Sequence, residues 1–452
     1  LSIALTVAAN RNDKTSLPIE DLRKFASVFS AIKANYVDNV EDTRLIKGAV
    51  SGMLSGLDPH SSYLDAEAFK DLQVGTQGEF GGLGIEVGTE DGLIKVVAPI
   101  EDTPAAKAGI KSGDLIIKID SKATKGLNLG DAVKLMRGKP NTKIKLTIIR
   151  DGQSSPIDIT IVRAIIQVKS VRSKLIDGEI GFLRISQFQE KTIKGLVNNL
   201  NKLEKEAKKN NKSLTGLVLD LRNDPGGLLH AAVGVSAAFL PSGTMVVSTD
   251  GRQQESKKKF FANPEDYTRT GSDPLKDLTK LSKNIPMVVI VNGGSASASE
   301  IVAGALQDHE RAKILGTQSF GKGSVQTILP IGNNTAIKLT TARYFTPSGK
   351  TIQAKGIEPD FWVEETEFGD ITDRLRVREA DLSRHLDSNN ESNAQENSSY
   401  KKEDRTINKE NSNSSDNKSF QFGSDNDFQL KQAINLLRGL PVKTTVTAET
   451  SS

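Results

Sequence analysis

The sequence predicts a multidomain α+β protein in which an N-terminal helical segment precedes a small β-rich module and an α/β layered core. Three observations carry this expectation: apolar residues at helical spacing over 19–53, short β-branched runs punctuated by glycine over 75–166, and strands alternating with helices from about 168 to 363. A chain of 452 residues is also long for a single core.

In the first segment, Ile19, Leu22, Phe25, Phe29 and Ile32 form one stripe, and Leu45, Ile46, Ala49, Val50 and Met53 a second. They predict two amphipathic helices within a helical segment spanning 17–74. The stretch Leu57-Asp-Pro-His-Ser61 breaks the pattern, because the residue before a proline is pushed out of helical geometry. Over 75–166 the strand candidates are 84–87, 93–97, 115–119 and 144–149, with one helical stretch from Leu129 to Met136. The layered core, 167–376, places strand 217–221 before helix 228–239 and strand 287–291 before helix 300–307.

Residues 377–427 are dominated by Ser, Asn, Lys, Glu and Asp, with too little apolar surface to offset the entropy of ordering. They predict a disordered polar linker before a last amphipathic helix over 428–440, carried by Leu430, Ala433, Ile434 and Leu437. At the other end, Leu1-Ser-Ile-Ala-Leu-Thr-Val-Ala-Ala9 is too short to span a bilayer. Small residues at Val7 and Ala9 fit an export cleavage pattern, so residues 1–12 read as a signal-peptide remnant or anchor, with an ordinary buried strand as the alternative. The expectation is an exported, periplasmic protein, held at the inner membrane where such an anchor is retained.

The 60 basic and 56 acidic residues are interspersed and leave a net charge of +4, which points to neither a nucleic-acid partner nor an anionic membrane surface. The absence of cysteine removes disulfides, thiolate nucleophiles and Cys-ligated metals. Histidine-based catalysis has only His60, His230, His309 and His385 to draw on.

The stretch Val291-Asn-Gly-Gly-Ser-Ala-Ser-Ala-Ser-Glu300 ends a buried-type strand in small residues and starts a helix at once. Such a turn exposes a side chain above the sheet edge and aims free amides and the positive dipole end at it, which suits an oxyanion. Ser295, Ser297 and Ser299 compete there. Ser297-Ala-Ser-Glu300 also matches a capping box, and spacing chooses neither among the serines nor between capping and nucleophilic attack.

A nucleophilic serine needs a base. His309 lies at the far end of the following helix, roughly 15 Å away. Lys322, between glycines in Ser319-Phe-Gly-Lys-Gly-Ser324, serves if burial leaves its amine neutral; a solvated turn lysine is the plainer alternative. Gln326, four residues on, is placed to hold such an amine.

Asp220-Leu-Arg-Asn-Asp-Pro-Gly-Gly227 is a second glycine-rich turn between strand and helix, able to supply amides to an oxyanion or to be only a tight turn. Gly316-Thr-Gln-Ser-Phe-Gly321-Lys322 lacks the hydroxyl residue that completes a P-loop, and His309-Glu310 lacks the second histidine of a zinc motif. A chance S-x-x-K at Ser256-Lys-Lys-Lys259 has no Lys-Thr-Gly partner, which sets aside a β-lactam-interacting enzyme.

Together these residues resemble the carboxyl-terminal processing proteases, the S41 group of Ser–Lys peptidases. The likeness runs from Leu57-Asp-Pro-His-Ser61 to Gly356-Ile-Glu-Pro-Asp360 and includes Asp220–Gly227, Gly294–Glu300, Gly321-Lys-Gly-Ser-Val-Gln326 and Thr341-Ala-Arg-Tyr-Phe-Thr-Pro347 in the family's order. It implies a PDZ domain over 75–166 and a ClpP/crotonase-like α/β core. It also implies Ser297 as nucleophile, Lys322 as base and Gln326 as the residue orienting the lysine. Oxyanion donors are implied at the Ala298 amide and in the Gly226-Gly227 turn, and a supporting role at Asp308. Gly81-Gly-Leu-Gly84 with Ile85 is implied to be the carboxylate-binding loop of the PDZ domain, where an extended peptide adds as a strand.

The expected function is therefore cleavage of exported proteins recognised by their free C-termini, with no metal or other cofactor. A homodimer or higher oligomer, formed through the terminal helices, is the expected assembly; no adaptor protein is identifiable, and no nucleic acid is expected. The rival reading is an inert PDZ scaffold whose Ser297 only caps a helix.

Overall fold

The computed structural model describes residues 18–367, apart from 91, 101, 270 and 280, together with 377–387 and 422–444. The expected signal-peptide remnant over 1–12 lies outside the described residues. So does most of the expected linker.

Helices Ile19–Asn35 and Asp42–Ser55 form where the two apolar stripes predict them. The first buries no residue against the rest of the chain and the second only Leu54, so Ile19, Leu22, Phe25, Val28 and Met53 stay exposed. After Leu57-Asp-Pro-His-Ser61 the short strand Ser62–Leu64 pairs antiparallel with Thr335–Phe345, at Ser62 opposite Lys338 and Leu64 opposite Ala336. This pairing joins the N-terminal segment to the sheet built on strand Thr335–Phe345.

The β-rich module is an antiparallel sheet in the order Ile85–Glu90, Leu93–Pro99, Leu115–Ile119, Lys143–Ile149 and Ile157–Val162. Ile94, Val96, Ile116, Ile144, Leu146 and Ile148 alternate inward along it and pack on Ala132 and Met136 of helix Leu129–Met136. Among the described residues, strand Ile85–Glu90 has a sheet partner on one side only. A two-stranded ribbon, Glu79–Gly82 with Ala164–Gln167, closes the module's entry and exit.

The layered core is built on a six-stranded sheet. Val171–Ile176 runs antiparallel to Ile180–Ile185, and Ile180–Ile185, Gly216–Asp220, Met287–Val291, Lys313–Gly316 and Phe361–Trp362 follow in parallel. Strands Gly216–Asp220 and Met287–Val291 are buried throughout, as expected of parallel strands covered on both faces. Their alternation sorts the layers: Leu217, Leu219, Val289 and Val291 face the core that contains Leu196, Leu200, Val233 and Val302, whereas Val218, Val288 and Ile290 face Leu430 and Ala433. Helices Thr192–Lys209, Leu229–Ala237 and Ala298–Asp308 thus lie on one side, and helix Phe428–Leu437 on the other.

The polar composition over 377–427 misleads at both ends. Residues 377–387 and 422–427 are folded, and Glu379 and Asp427 are fully buried. Composition misses this because both carboxylates are buried against polar partners, Glu379 against the His60 ring and Asp427 against the Arg222 guanidinium, rather than by apolar neighbours.

Candidate active site

Three loops leave the carboxyl ends of three adjacent parallel strands, Gly216–Asp220, Met287–Val291 and Lys313–Gly316, the edge at which open α/β sheets bind ligands. Residues 221–227, 292–297 and 317–323 meet there.

Ser297 is the N-cap of helix Ala298–Asp308 and sits at φ +56° and ψ −110°, a backbone state that L-residues seldom occupy. The surroundings impose it. Ala296 N–H donates to the Asp224 carbonyl at 3.0 Å, and Ser297 N–H to Glu300 Oε2 at 2.7 Å. The three serines separate clearly. Ser295 Oγ donates to the Leu221 carbonyl at 2.8 Å and accepts from Asn292 N–H, while Ser299 Oγ donates to the Asp224 carbonyl at 3.0 Å. Ser297 retains 9% exposure against 1% and 0% for its neighbours, which are spent on holding the turn.

Glu300 does more than cap the helix. Its Oε2 accepts from both Ser297 N–H and Lys322 N–H, the latter at 2.9 Å, and its Oε1 accepts from Gly321 N–H at 2.7 Å and Ser319 Oγ at 2.6 Å. One fully buried carboxylate therefore ties the serine turn to the lysine loop. Burial pushes Glu300 up to about 7, against the pull of these donors. The S-x-x-E spacing signalled the cap half of this role; nothing in the sequence signalled the lysine-loop half.

Burial lowers the affinity of Lys322 for its proton, and the charge of Lys338 adds to the effect; Glu379, Glu300 and Asp58 oppose it. Gln326 lies at a bulge in strand Ser324–Gly332, and its amide donates to Ser324 Oγ at 3.0 Å and Thr340 Oγ1 at 3.3 Å. Among the described hydrogen bonds it has none to the lysine amine. Asp58 of Leu57-Asp-Pro-His-Ser61 accepts from the same Thr340 hydroxyl at 3.1 Å and from Ser61 Oγ at 2.6 Å.

The Asp220–Gly227 turn lies against the serine turn. A Cβ at Gly226, where φ is +94°, would fall 2.6 Å from the Ala296 carbonyl and 2.9 Å from both Ala298 N and Ser297 Cβ. Gly226 N–H donates to Asp224 Oδ1 at 2.8 Å, so that amide is already committed, whereas the amides of Gly227 and Ala298 have no hydrogen-bond partner among the described residues. Asp224 Oδ2 is buried without a hydrogen-bond partner among the described residues, and burial pushes this carboxyl up to about 8. Below the turn, Arg222 is fully buried between Asp220 and Asp427, with Nη2 2.7 Å from Asp427 Oδ2, and the Phe422 ring stacks 4.5 Å from the guanidinium.

Asp308, at the end of the helix that Ser297 caps, accepts from Ser348 N–H at 2.8 Å and braces the turn after strand Thr335–Phe345. The remaining expected site residues lie apart from this cluster, in the β-rich module. Gly81 and Gly82 pair with Ile165 and Ala164, Leu83 is buried, and Ile85 begins the strand whose other edge has no sheet partner among the described residues. Gly84, at φ +78°, accepts from Ile100 N–H at 2.9 Å and from Thr103 Oγ1 at 3.1 Å; a Cβ there would collide with Thr103.

Comparison with known proteins identifies the family. The model described as peptidase family S41 matches residues 179–363, that of a PDZ domain matches 81–161, and that of the N-terminal domain of the activating protease CtpB matches 3–68. A carboxy-terminal-processing protease of Bartonella bacilliformis is 51% identical over 363 residues, which are 80% of this chain and 79% of that protein. The carboxy-terminal processing protease CtpA of Bacillus subtilis is 37% identical over 77% of this chain and 70% of its own length. A chain with this identity over this length is a serine-type peptidase with a PDZ domain, and it belongs to the carboxy-terminal processing proteases of peptidase family S41.

Proposed function

We propose that this peptidase is an endopeptidase of exported proteins in which Ser297 is the nucleophile and Lys322 its general base. The observation that carries the reading is the shared carboxylate of Glu300, which holds the serine turn and the lysine loop together. The buried amine of Lys322, disposed to neutrality, takes the Ser297 proton as Oγ attacks the scissile carbonyl. Backbone amides of Ala298 and Gly227 stabilise the tetrahedral oxyanion, the resulting ammonium protonates the leaving amine, and water, activated by the same lysine, releases the acyl group. Gln326, on the strand that follows the lysine loop, orients the lysine, and Asp308 supports the serine helix.

Recognition falls to the PDZ domain. A substrate C-terminus adds to the open edge of strand Ile85–Glu90, with its carboxylate at the Gly81–Gly84 loop. The exposed apolar residues of the two N-terminal helices supply a dimer contact. Purified Ser297→Ala and Lys322→Ala should bind a peptide substrate without cleaving it; wild-type cleavage by either variant refutes the assignment. Amidating the substrate C-terminus should weaken binding and cleavage, and unchanged kinetics would remove the PDZ role.

A further inference from the structure

Three segments far apart in the chain converge on the loop that carries Lys322. His60 Nε2 lies 2.7 Å from Glu379 Oε2 and 3.0 Å from Oε1. Gln353 Nε2 donates to Glu379 Oε1 at 2.9 Å, while Gln353 Oε1 accepts from Gly323 N–H at 3.0 Å. Glu379 N–H donates to the Phe320 carbonyl at 3.1 Å. Glu379 is thus tied to the lysine loop on both sides of Lys322, directly at Phe320 and through Gln353 at Gly323. Its side chain is 1% exposed, and Asp58 fixes the His60 backbone by accepting its N–H at 2.8 Å.

A carboxylate buried this deeply persists only with partners. Although burial disfavours its charge, hydrogen bonds from His60 and Gln353 and the nearby charges of His60 and Lys322 hold Glu379 below the usual carboxylate range. The charged groups that face Lys322 are Lys338, Glu379, Glu300 and Asp58, and Glu379 leads those that favour the ammonium. Neither His60 nor Glu379 lies within the residues matched by the S41 family model.

We propose that Glu379, held by His60 and Gln353, is a positioning residue for Lys322: it anchors the lysine loop and supplies the counter-charge that sets the pH at which the amine becomes a base. This rests on the Ser297–Lys322 reading. A residue that only braced the loop would change kcat and leave the pH dependence alone. A counter-charge must move it.

The test is the pH dependence of kcat/KM for peptide hydrolysis by the full chain. Glu379→Gln should shift the acidic limb to lower pH by about one unit, because removing a nearby negative charge makes the lysine lose its proton more readily. Glu379→Asp, which keeps the charge, should leave the limb near its wild-type position while lowering kcat. An acidic limb unmoved in Glu379→Gln overturns the proposal. If that variant does not fold, the reciprocal experiment decides: the His60 ring proton resonances report Glu379 ionisation, and Lys322→Met must move that transition to higher pH. An unmoved transition overturns the proposal equally. Absence of hydrolysis by wild-type protein would count against the protease assignment alone, since the resonance measurement needs no turnover.

Discussion

Ser297 and Lys322 donate their backbone N–H groups to a single oxygen, Oε2 of Glu300, at 2.7 and 2.9 Å. The two residues are joined at the level of the main chain before their side chains are considered. One buried carboxylate therefore holds the serine turn and the lysine loop in a fixed relation to each other.

Glu300→Gln should damage both stability and turnover. Glutamine offers one acceptor oxygen to a site containing four donors, and its own N–H groups face others. Denaturant unfolding should show a loss of about 3 kcal/mol, and kcat should fall at least tenfold. Wild-type values for both would mean that the clasp is dispensable.

Asp427→Ala should reveal the C-terminal helix as part of the catalytic half. It leaves the buried Arg222 guanidinium, in the same turn as Gly226 and Gly227, with Asp220 and Gln429 but without its second carboxylate. Removing one partner of a buried ion pair costs about 3–5 kcal/mol. Urea unfolding measures that loss, and Asp427→Asn, which keeps an acceptor oxygen for the guanidinium, should lose less.

Asp224→Asn should alter the response to pH. Burial pushes the Asp224 carboxyl up from its ordinary 3.8 to about 8, and Arg184, the cation nearest in effect, is paired with Asp220 at 2.9 Å. Folding therefore holds this group neutral where the unfolded chain ionises it. Its contribution to stability is full below pH 3.8 and is lost as pH rises toward 8, by up to about 1.4 kcal/mol per pH unit relative to the asparagine variant. Stability of both proteins across pH 4–9 checks this, and parallel curves would show Asp224 to be ionised throughout.

Gly226→Ala tests the contact between the two turns. The added Cβ meets the Ala296 carbonyl, Ala298 N and Ser297 Cβ at a φ of +94°, so the serine turn must shift. We expect kcat to fall more than tenfold, with PDZ binding of a C-terminal peptide unchanged. Near-normal kcat would mean that the turn tolerates displacement.

Much of this molecule is legible in one dimension. The stripe from Ile19 to Ile32, the strand at Met287–Val291 and the helix at Leu129–Met136 follow from apolar periodicity, and the glycine-rich turns mark where strands give way to helices. Resemblance to a family, rather than spacing, singled out Ser297 and Lys322 in the sequence. The strand order was not legible, and it is the strand order that sets the turns after Gly216–Asp220, Met287–Val291 and Lys313–Gly316 side by side.

What the sequence by itself determined is the set of local elements and the family, because both rest on short-range pattern. What only the tertiary structure decided is which polar groups are buried together. Ser295 and Ser299 became braces because the Leu221 and Asp224 carbonyls lie within reach, Glu300 became a clasp because the lysine loop descends onto it, and Glu379 and Asp427 left an apparent linker for the interior. A buried charge is stable only where its partners are, and those partners, His60 for Glu379 and Arg222 for Asp427, lie 319 and 205 residues away along the chain.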